Sequence, residues 1–456
     1  MGVTRRLAEF ATAITLDGLP VEVVRKARLC VLDYVANVYG SLQLETVSRI
    51  AACLRSLAGP GVATALGCGF RTGIHHAAFM NGVTAEAVEA QDGLRFGGNH
   101  PGTAVIPAAL AISESLGLGG RPFLEAVVAG YETANRIAAA VHPLHTLSGF
   151  LPTGTCGTFG AACAAARLLG LDATGMASAL GIAGYLAPLS MAEQLMEGFT
   201  VKIVQGGQAA ACGLTAAGLA RAGVSGSDRV LEGSALKGGF TQITLKGEPV
   251  LERITDRLGE RYSILEVYFK PFTSCRHTHG AAQAALELRR EGGFRAGEVA
   301  GIEVHTYGIA QLAVGKPVPD GGTFVSAQFS IPFVVAACLL DGGLGPAQLR
   351  EERLADPALV ELSKRVSVHH DEQLSRLYPD KTASRVEIAL KDGRRLVRQV
   401  EIPRGDPREP MEAGELTEKL KRFSARADQT RIDQAVRLIL DLEKLGDIRE
   451  LTALLA

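Results

Sequence analysis

Four stretches of the sequence carry residue types that can hold a carboxylate and move a proton. The first, residues 81–110, reads NGVTAEAVEAQDGLRFGGNHPGTAVIPAAL. Glu89 and Asp92 are three residues apart, so a helix running through them sets both acids on one face. Gly93 is the residue expected to stop that helix. Two acids in a last helical turn oppose the helix dipole, so local stability does not select them. Arg95 and His100 follow, ahead of the backbone break at Pro101-Gly102. A solvated helix end with a surface loop accounts for this stretch as well as a site does, although loops carry a disproportionate share of site residues.

The second stretch, FLPTGTCGTFGAACAAARLL at residues 150–169, places Thr153, Gly154, Thr155 and Gly157 at the start of an alanine-rich helix. Backbone N–H groups there can receive a carboxylate, with Thr155 as a side-chain donor. No GK[ST] follows and no strand precedes, so it is neither a phosphate loop nor a dinucleotide fingerprint. Taken alone the signal is weak, and close helix packing is the better explanation of it. In the third stretch, Lys202 is a lone cation among Val201, Ile203 and Val204. Partial burial would make its charge costly without an anionic partner, and a ligand carboxylate would serve. The fourth, KPFTSCRHTHGAAQAA at residues 270–285, clusters Arg276, His277 and His279 before a helix. The spacing C-x-H-x-H is unusual for zinc, so an anion site with a histidine acid or base is the better reading. The pooled inventory has no cofactor motif and suits removal of a proton next to a carboxylate. That chemistry needs a poised base and cations to receive the developing charge.

The elements that must position these residues are mostly helices. Apolar periodicity predicts helices over 7–14, 21–39, 104–116, 122–140, 157–169, 174–187 and 206–222. Glycines and alanines interleaved with apolar residues point to close helix packing. From about residue 266 the pattern changes. A helix over 279–290, strands over 299–307, 366–368, 384–390 and 395–402, and helices over 327–340 and 355–364 make an α+β block. Lys391-Asp392-Gly393 supplies the hairpin turn between the last two strands. The tail is helical again, and its stripe of Ile432, Val436, Ile439 and Leu442 is expected to return to the first helical part. The expected division is a helical domain from residues 1–265, an α+β lid over 266–404, and C-terminal helices over 405–456 that rejoin the helical domain.

Length and composition agree with this. The 456 residues are too many for one ordinary core. A formal net charge of -1 argues against nucleic acid or an anionic membrane as partner. Eight cysteines are scattered with no CxxC pair. The first residues lack a signal-peptide core, and no apolar run is long enough to span a membrane. A cytoplasmic protein acting on a small molecule is the expectation.

Seven ordered motifs resemble the MmgE/PrpD family, which includes 2-methylcitrate dehydratase, cis-aconitate decarboxylase and iminodisuccinate epimerase. They are NG-x6-E-x2-D from Asn81, HPG-x4-PA from His100, GTxGTFGAA from Gly154, Lys202 before its small-residue helix, CRxTH from Cys275, AQFSIPF from Ala327 and PRGDP from Pro403. The resemblance implies a helical domain plus a smaller lid, a site between them, a homodimer, and no metal or organic cofactor. It carries the acidic pair to Glu89 and Asp92, the histidine before Pro-Gly to His100, the lysine to Lys202 and the lid histidine to His279. The family's histidine before the GT-rich helix falls at Leu151, its threonine after the acids at Gly93, its lid tyrosine near Ala313, and a further first-helix histidine at Glu86. The absent histidine and tyrosine count against cis-aconitate decarboxylation, and Leu151 suits a substrate with fewer carboxylates or an alkyl group.

The function expected is therefore a cofactor-independent dehydratase of a 2-methylcitrate-like hydroxy-polycarboxylate. Asp92 or His100 would move the proton, and Lys202 and His279 would complete the catalytic set. Glu89, Arg95, Thr155, Arg276 and His277 would bind substrate, with Arg95 as an anion clamp. An epimerase or isomerase, a decarboxylase of a related acid, and an inactive carboxylate-binding homologue are the alternatives.

Overall fold

The computed structural model describes residues 2–235 and 238–456. The chain is mainly α with an α+β region in its C-terminal part. Six helices, Val21–Ser41, Ile74–Ala87, Gly102–Leu116, Gly120–Val141, Pro152–Leu168 and Gln205–Arg221, pack into one helical core. Glycines set the closest approaches. A Cβ on Gly82 would lie 2.5 Å from the Gly207 Cα, and one on Gly207 would lie 2.3 Å from the Phe79 carbonyl oxygen. The helices Ile74–Ala87 and Gln205–Arg221 thus meet backbone to backbone. That contact brings the end of one, with Glu86, beside the start of the other, just after Lys202. The tail helices Ala413–Phe423 and Gln429–Leu440 pack on Val21–Ser41 through Leu416, Leu420, Ile432 and Ile439.

The α+β region is built on a four-stranded sheet ordered Val366–His370, Val299–Thr306, Ser384–Leu390, Arg395–Val400. The first pair is parallel and the others antiparallel. Helix His279–Gly292 covers one face and packs in turn on Ile331–Asp341. Ile302, Val304, Val386 and Ile388 turn inward, while Glu303, His369 and Glu387 lie on the open face. The predicted 327–340 helix is two elements, Phe324–Gln328 and Ile331–Asp341, because the Ser330 hydroxyl caps a new helix at Phe333 N. A helix Glu45–Leu57 and a small hairpin, Ala63–Ala65 with Phe70–Thr72, interrupt the N-terminal pattern unannounced by periodicity. No described helix is long and apolar enough to cross a membrane.

One short ladder decides where the site forms. Gly93 pairs with Tyr268 and Leu94 with Val267, antiparallel. This ties the loop after Ile74–Ala87 to the segment leading into Lys270–His279.

Candidate active site

The acidic pair does not share a helical face. The helix ends at Ala87, and Glu89 takes a left-handed backbone with φ 55°, rare for a residue with a side chain. The two carboxylates therefore part. Glu89 joins a buried cluster, whereas Asp92 turns into the helical core. There the Tyr131 hydroxyl donates to Asp92 Oδ2 at 2.6 Å, and Gly102 N, at the start of the next helix, donates to Oδ1 at 3.2 Å. Burial raises the Asp92 carboxyl to about 7 despite these bonds. Gly93 does not end a helix. It lies in the two-residue ladder, and a Cβ there would sit 2.5 Å from the Tyr268 hydroxyl and 2.8 Å from His100 Nδ1.

Asp92 serves the site through its backbone. Its carbonyl oxygen is 2.6 Å from His100 Nδ1. A carbonyl only accepts, so Nδ1 carries the ring hydrogen and Nε2 keeps a lone pair. The Thr153 hydroxyl accepts from His100 N at 3.0 Å and fixes the backbone on the other side. Burial, reinforced by the charge of Lys270, lowers His100 to about 4, so the ring is neutral at pH 7.

The Glu89 carboxylate receives two lysines. Lys270 Nζ reaches Oε1 at 2.7 Å, and Lys202 Nζ bonds Oε2. Lys202 also reaches Glu86 Oε1 at 2.7 Å. All four side chains are buried. Burial alone would raise Glu89, but the two ammonium groups outweigh it and hold the carboxyl well below its usual range. Burial would lower Lys202, and Glu86 and Glu89 more than offset it. The amides of Gln205 and Gln91 donate to Glu86 Oε1 at 2.8 and 3.3 Å. The strained Glu89–Ala90 turn is itself clamped. Lys270 Nζ is 3.3 Å from Glu89 O, and Lys419 Nζ donates to Ala90 O at 2.6 Å while paired with Asp33 at 2.7 Å.

The segment after Lys270 supplies neutral histidines. His277 Nδ1 bonds the Tyr307 hydroxyl, and burial lowers this ring to about 4. His279 Nε2 donates to Ser274 O at 3.1 Å, leaving a buried Nδ1 with no partner; burial, then Arg276 and Lys270, hold it well below the usual imidazole value. His142, lowered to about 4 by burial, adds another unpartnered Nδ1 close to Gly98.

Three expected ligand contacts are used elsewhere. Arg95 is not a free anion clamp: Nη1 pairs with Asp406 at 3.2 Å and also donates to Asp380 O. Arg276 donates to Arg404 O and Pro403 O, both at 2.8 Å, with its guanidinium 5.0 Å over the Tyr268 ring. Both arginines thereby anchor the PRGDP loop. The Thr155 hydroxyl donates to Leu151 O at 3.2 Å and meets His145 Nε2 of the preceding short helix at 2.8 Å; Thr153 is the threonine that reaches His100. The sequence also passed over Lys270 and Glu86 as site residues. Lys270 carries the same signal that marked Lys202, a lone cation inside an apolar run, here VYFKPF.

Residues 5–252 match the MmgE/PrpD N-terminal domain and residues 272–442 the C-terminal domain. The chain belongs to the MmgE/PrpD family. Relatives within it include a cis-aconitate decarboxylase from Aspergillus terreus, 28% identical over all of this chain and 96% of that protein. The cis-aconitate decarboxylase of Mus musculus is 26% identical over 99% of this chain and 92% of its own length. The Homo sapiens protein of the same name is 28% identical over 83% of this chain and 79% of its length. Across this MmgE/PrpD chain, residues 86–100 and 202–205 lie in the N-terminal match and residues 272–279 in the C-terminal match, with Lys270 between the two.

Proposed function

We propose that the protein is a cofactor-independent lyase that removes water from a small hydroxy-carboxylate, with His100 as the proton-transferring group. The observation that carries this is the state of His100. It is neutral, its Nδ1–H is fixed on the Asp92 carbonyl, and Nε2 has no hydrogen-bond partner among the described residues. A base in that state takes a proton from the carbon next to the substrate carboxylate. The charge moves onto the carboxylate oxygens and is met by the buried Arg276 guanidinium, which has no carboxylate partner. The β C–O bond then breaks, and the proton on Nε2 leaves with the hydroxyl as water. His277 and His279 complete the histidine wall of this site. Asp92, whose carboxylate caps a helix, positions the base instead of acting as one.

The relatives' names favour a second reading, loss of carbon dioxide. There the same imidazole, taking a proton from water at Nε2, would deliver it to the carbanion left behind. Incubation of hydroxy acids and unsaturated acids in deuterated water, followed by NMR, separates the outcomes. Alkene formation with water loss supports the lyase. Carbon dioxide release supports the second reading. Deuterium uptake without either product points to an epimerase. Binding without turnover of any acid points to an inactive homologue.

A homodimer is part of the same proposal. Tyr185, Leu189, Met191, Met196, Phe199 and Val201 leave half or more of their surface exposed within 17 residues, Tyr185 at 90%. Such a patch suits burial against a second copy, and light scattering at micromolar concentration reads the mass.

A further inference from the structure

Of the five buried lysines and arginines among the described residues, four are paired with carboxylates: Arg136 with Glu132, Lys419 with Asp33, Lys270 with Glu89, and Lys202 with Glu86 and Glu89. Arg276 alone has carbonyl partners only. Beside His100, then, two ammonium groups face two carboxylates and their charges cancel. Glu86 is the group that completes the cancellation. Without it, Lys202 and Lys270 would share Glu89 and keep one positive charge between them.

The hydrogen-bond inventory points the same way. Glu86 Oε2, Gln91 Oε1 and Gln205 Oε1 are buried acceptors with no donor. The two amides cannot be turned to relieve this, because their nitrogens already donate to Glu86 Oε1. A third amide, Gln328, donates to Ala87 O at the end of the same helix and also leaves Oε1 without a donor. Buried polar groups are normally paired, so unfilled acceptors gathered around one carboxylate mark a place for a donor. A second or third ligand carboxylate brings more acceptors and finds no uncompensated cation. A hydroxyl brings the missing donor.

We infer that Glu86 sets the substrate's charge: the site is fitted to a hydroxy acid with a single carboxylate, its hydroxyl end towards Glu86, Gln91 and Gln205. This rests on the proposed function, in which the groups beside His100 meet the substrate. It narrows the hydroxy-polycarboxylate expected from the sequence to a monocarboxylate. Arg276, whose guanidinium bonds the 403–404 carbonyls and no carboxylate, supplies one uncompensated charge for one ligand carboxylate.

The test is a set of hydroxy acids that differ in carboxylate count: 3-hydroxybutyrate, malate and citrate. Binding to the full-length protein is read by calorimetry and turnover by NMR. The monocarboxylate should bind the wild type most tightly. Glu86→Gln removes one negative charge and should shift relative affinity towards malate and citrate by about tenfold. Glu86→Asp keeps the charge and should keep the wild-type order, which separates charge from packing. A wild type that binds citrate as tightly as 3-hydroxybutyrate overturns the inference. So does a Glu86→Gln protein with wild-type melting and an unchanged order, or a wild type that binds none of the acids. If the order holds but no acid is turned over, the lyase reading fails and the charge rule stands. If turnover occurs without a charge order, the charge rule alone fails.

Discussion

Two buried lysine–carboxylate groups lie on either side of the Glu89–Ala90 turn, and they differ in kind. In the Lys419–Asp33 pair each Asp33 oxygen accepts one bond, from Lys419 and from Asn37, and the ammonium's second bond goes to a backbone carbonyl. The group around Lys202 shares one glutamate between two lysines and leaves Glu86 Oε2 without a donor. Equal burial therefore does not mean equal role. A charge pair whose valences close on each other and on the backbone holds a chain in place. One that keeps acceptors open beside a neutral imidazole has something left to bind.

The widest expected gap between the two groups is in activity. His100→Ala should lower turnover by about 10²–10⁴-fold, the usual share of a general base, while the thermal midpoint stays close to wild type. Lys419→Met should do the reverse in character. It strands Asp33 in the core and should cost about 3–5 kcal/mol in urea unfolding. The double variant Asp33→Leu/Lys419→Met should regain most of that loss, because a buried pair is replaceable by apolar packing. If instead the double variant stays as unstable as the single one, the pair does more than close on itself.

Next in size is the helix contact that delivers Glu86 to Lys202. Gly82→Ala must push the Gly207 backbone away and should cost about 1–3 kcal/mol. It should also weaken binding of whatever occupies the cluster, read by calorimetry beside the unfolding curve. The smallest effect is a slope in pH. Burial raises the Asp92 carboxyl to about 7 from its ordinary value of 3.8, so between those values the folded chain binds more protons than the unfolded chain. Its contribution to stability is present at low pH and fades as pH rises through 7. His100 is the opposite case. Its folded value of about 4 lies below the ordinary imidazole value of 6.5, so its contribution is lost as pH falls from 6.5 to 4. Asp92→Asn should therefore gain on the wild type as pH rises from 4 to 7, by at most about 1.4 kcal/mol per unit. Urea melts at four pH values measure it, and parallel curves would refute the assignment.

Much of the fold was legible because its elements are long and periodic. The helix read at 206–222 runs Gln205–Arg221, and the strand read at 384–390 runs Ser384–Leu390. The tail helices pack against Val21–Ser41. The motif segments were legible as well, but not the directions of their side chains. Three-residue spacing put Glu89 and Asp92 together; one left-handed residue at Glu89 turns them apart, and periodicity carries no trace of that. Arg95 and Arg276 look free in sequence because their partners, Asp406 and the 403–404 carbonyls, lie more than a hundred residues away. Glu86 reads as an isolated acid near its helix end until Lys202, more than a hundred residues further along the chain, packs beside it.

The Gly93–Tyr268 ladder has a kinetic consequence. Lys270 lies two residues beyond its last rung and Glu89 four before its first, so the tether and the Lys270–Glu89 ion pair are mechanically in series. Parting the two strands far enough to pass a ligand between them pulls the ammonium from its carboxylate in the same movement. A ligand entering by that route waits on the rupture of an ion pair. Because both partners are buried, salt in solution screens that pair little, and the arrival rate would stay nearly constant as salt is added.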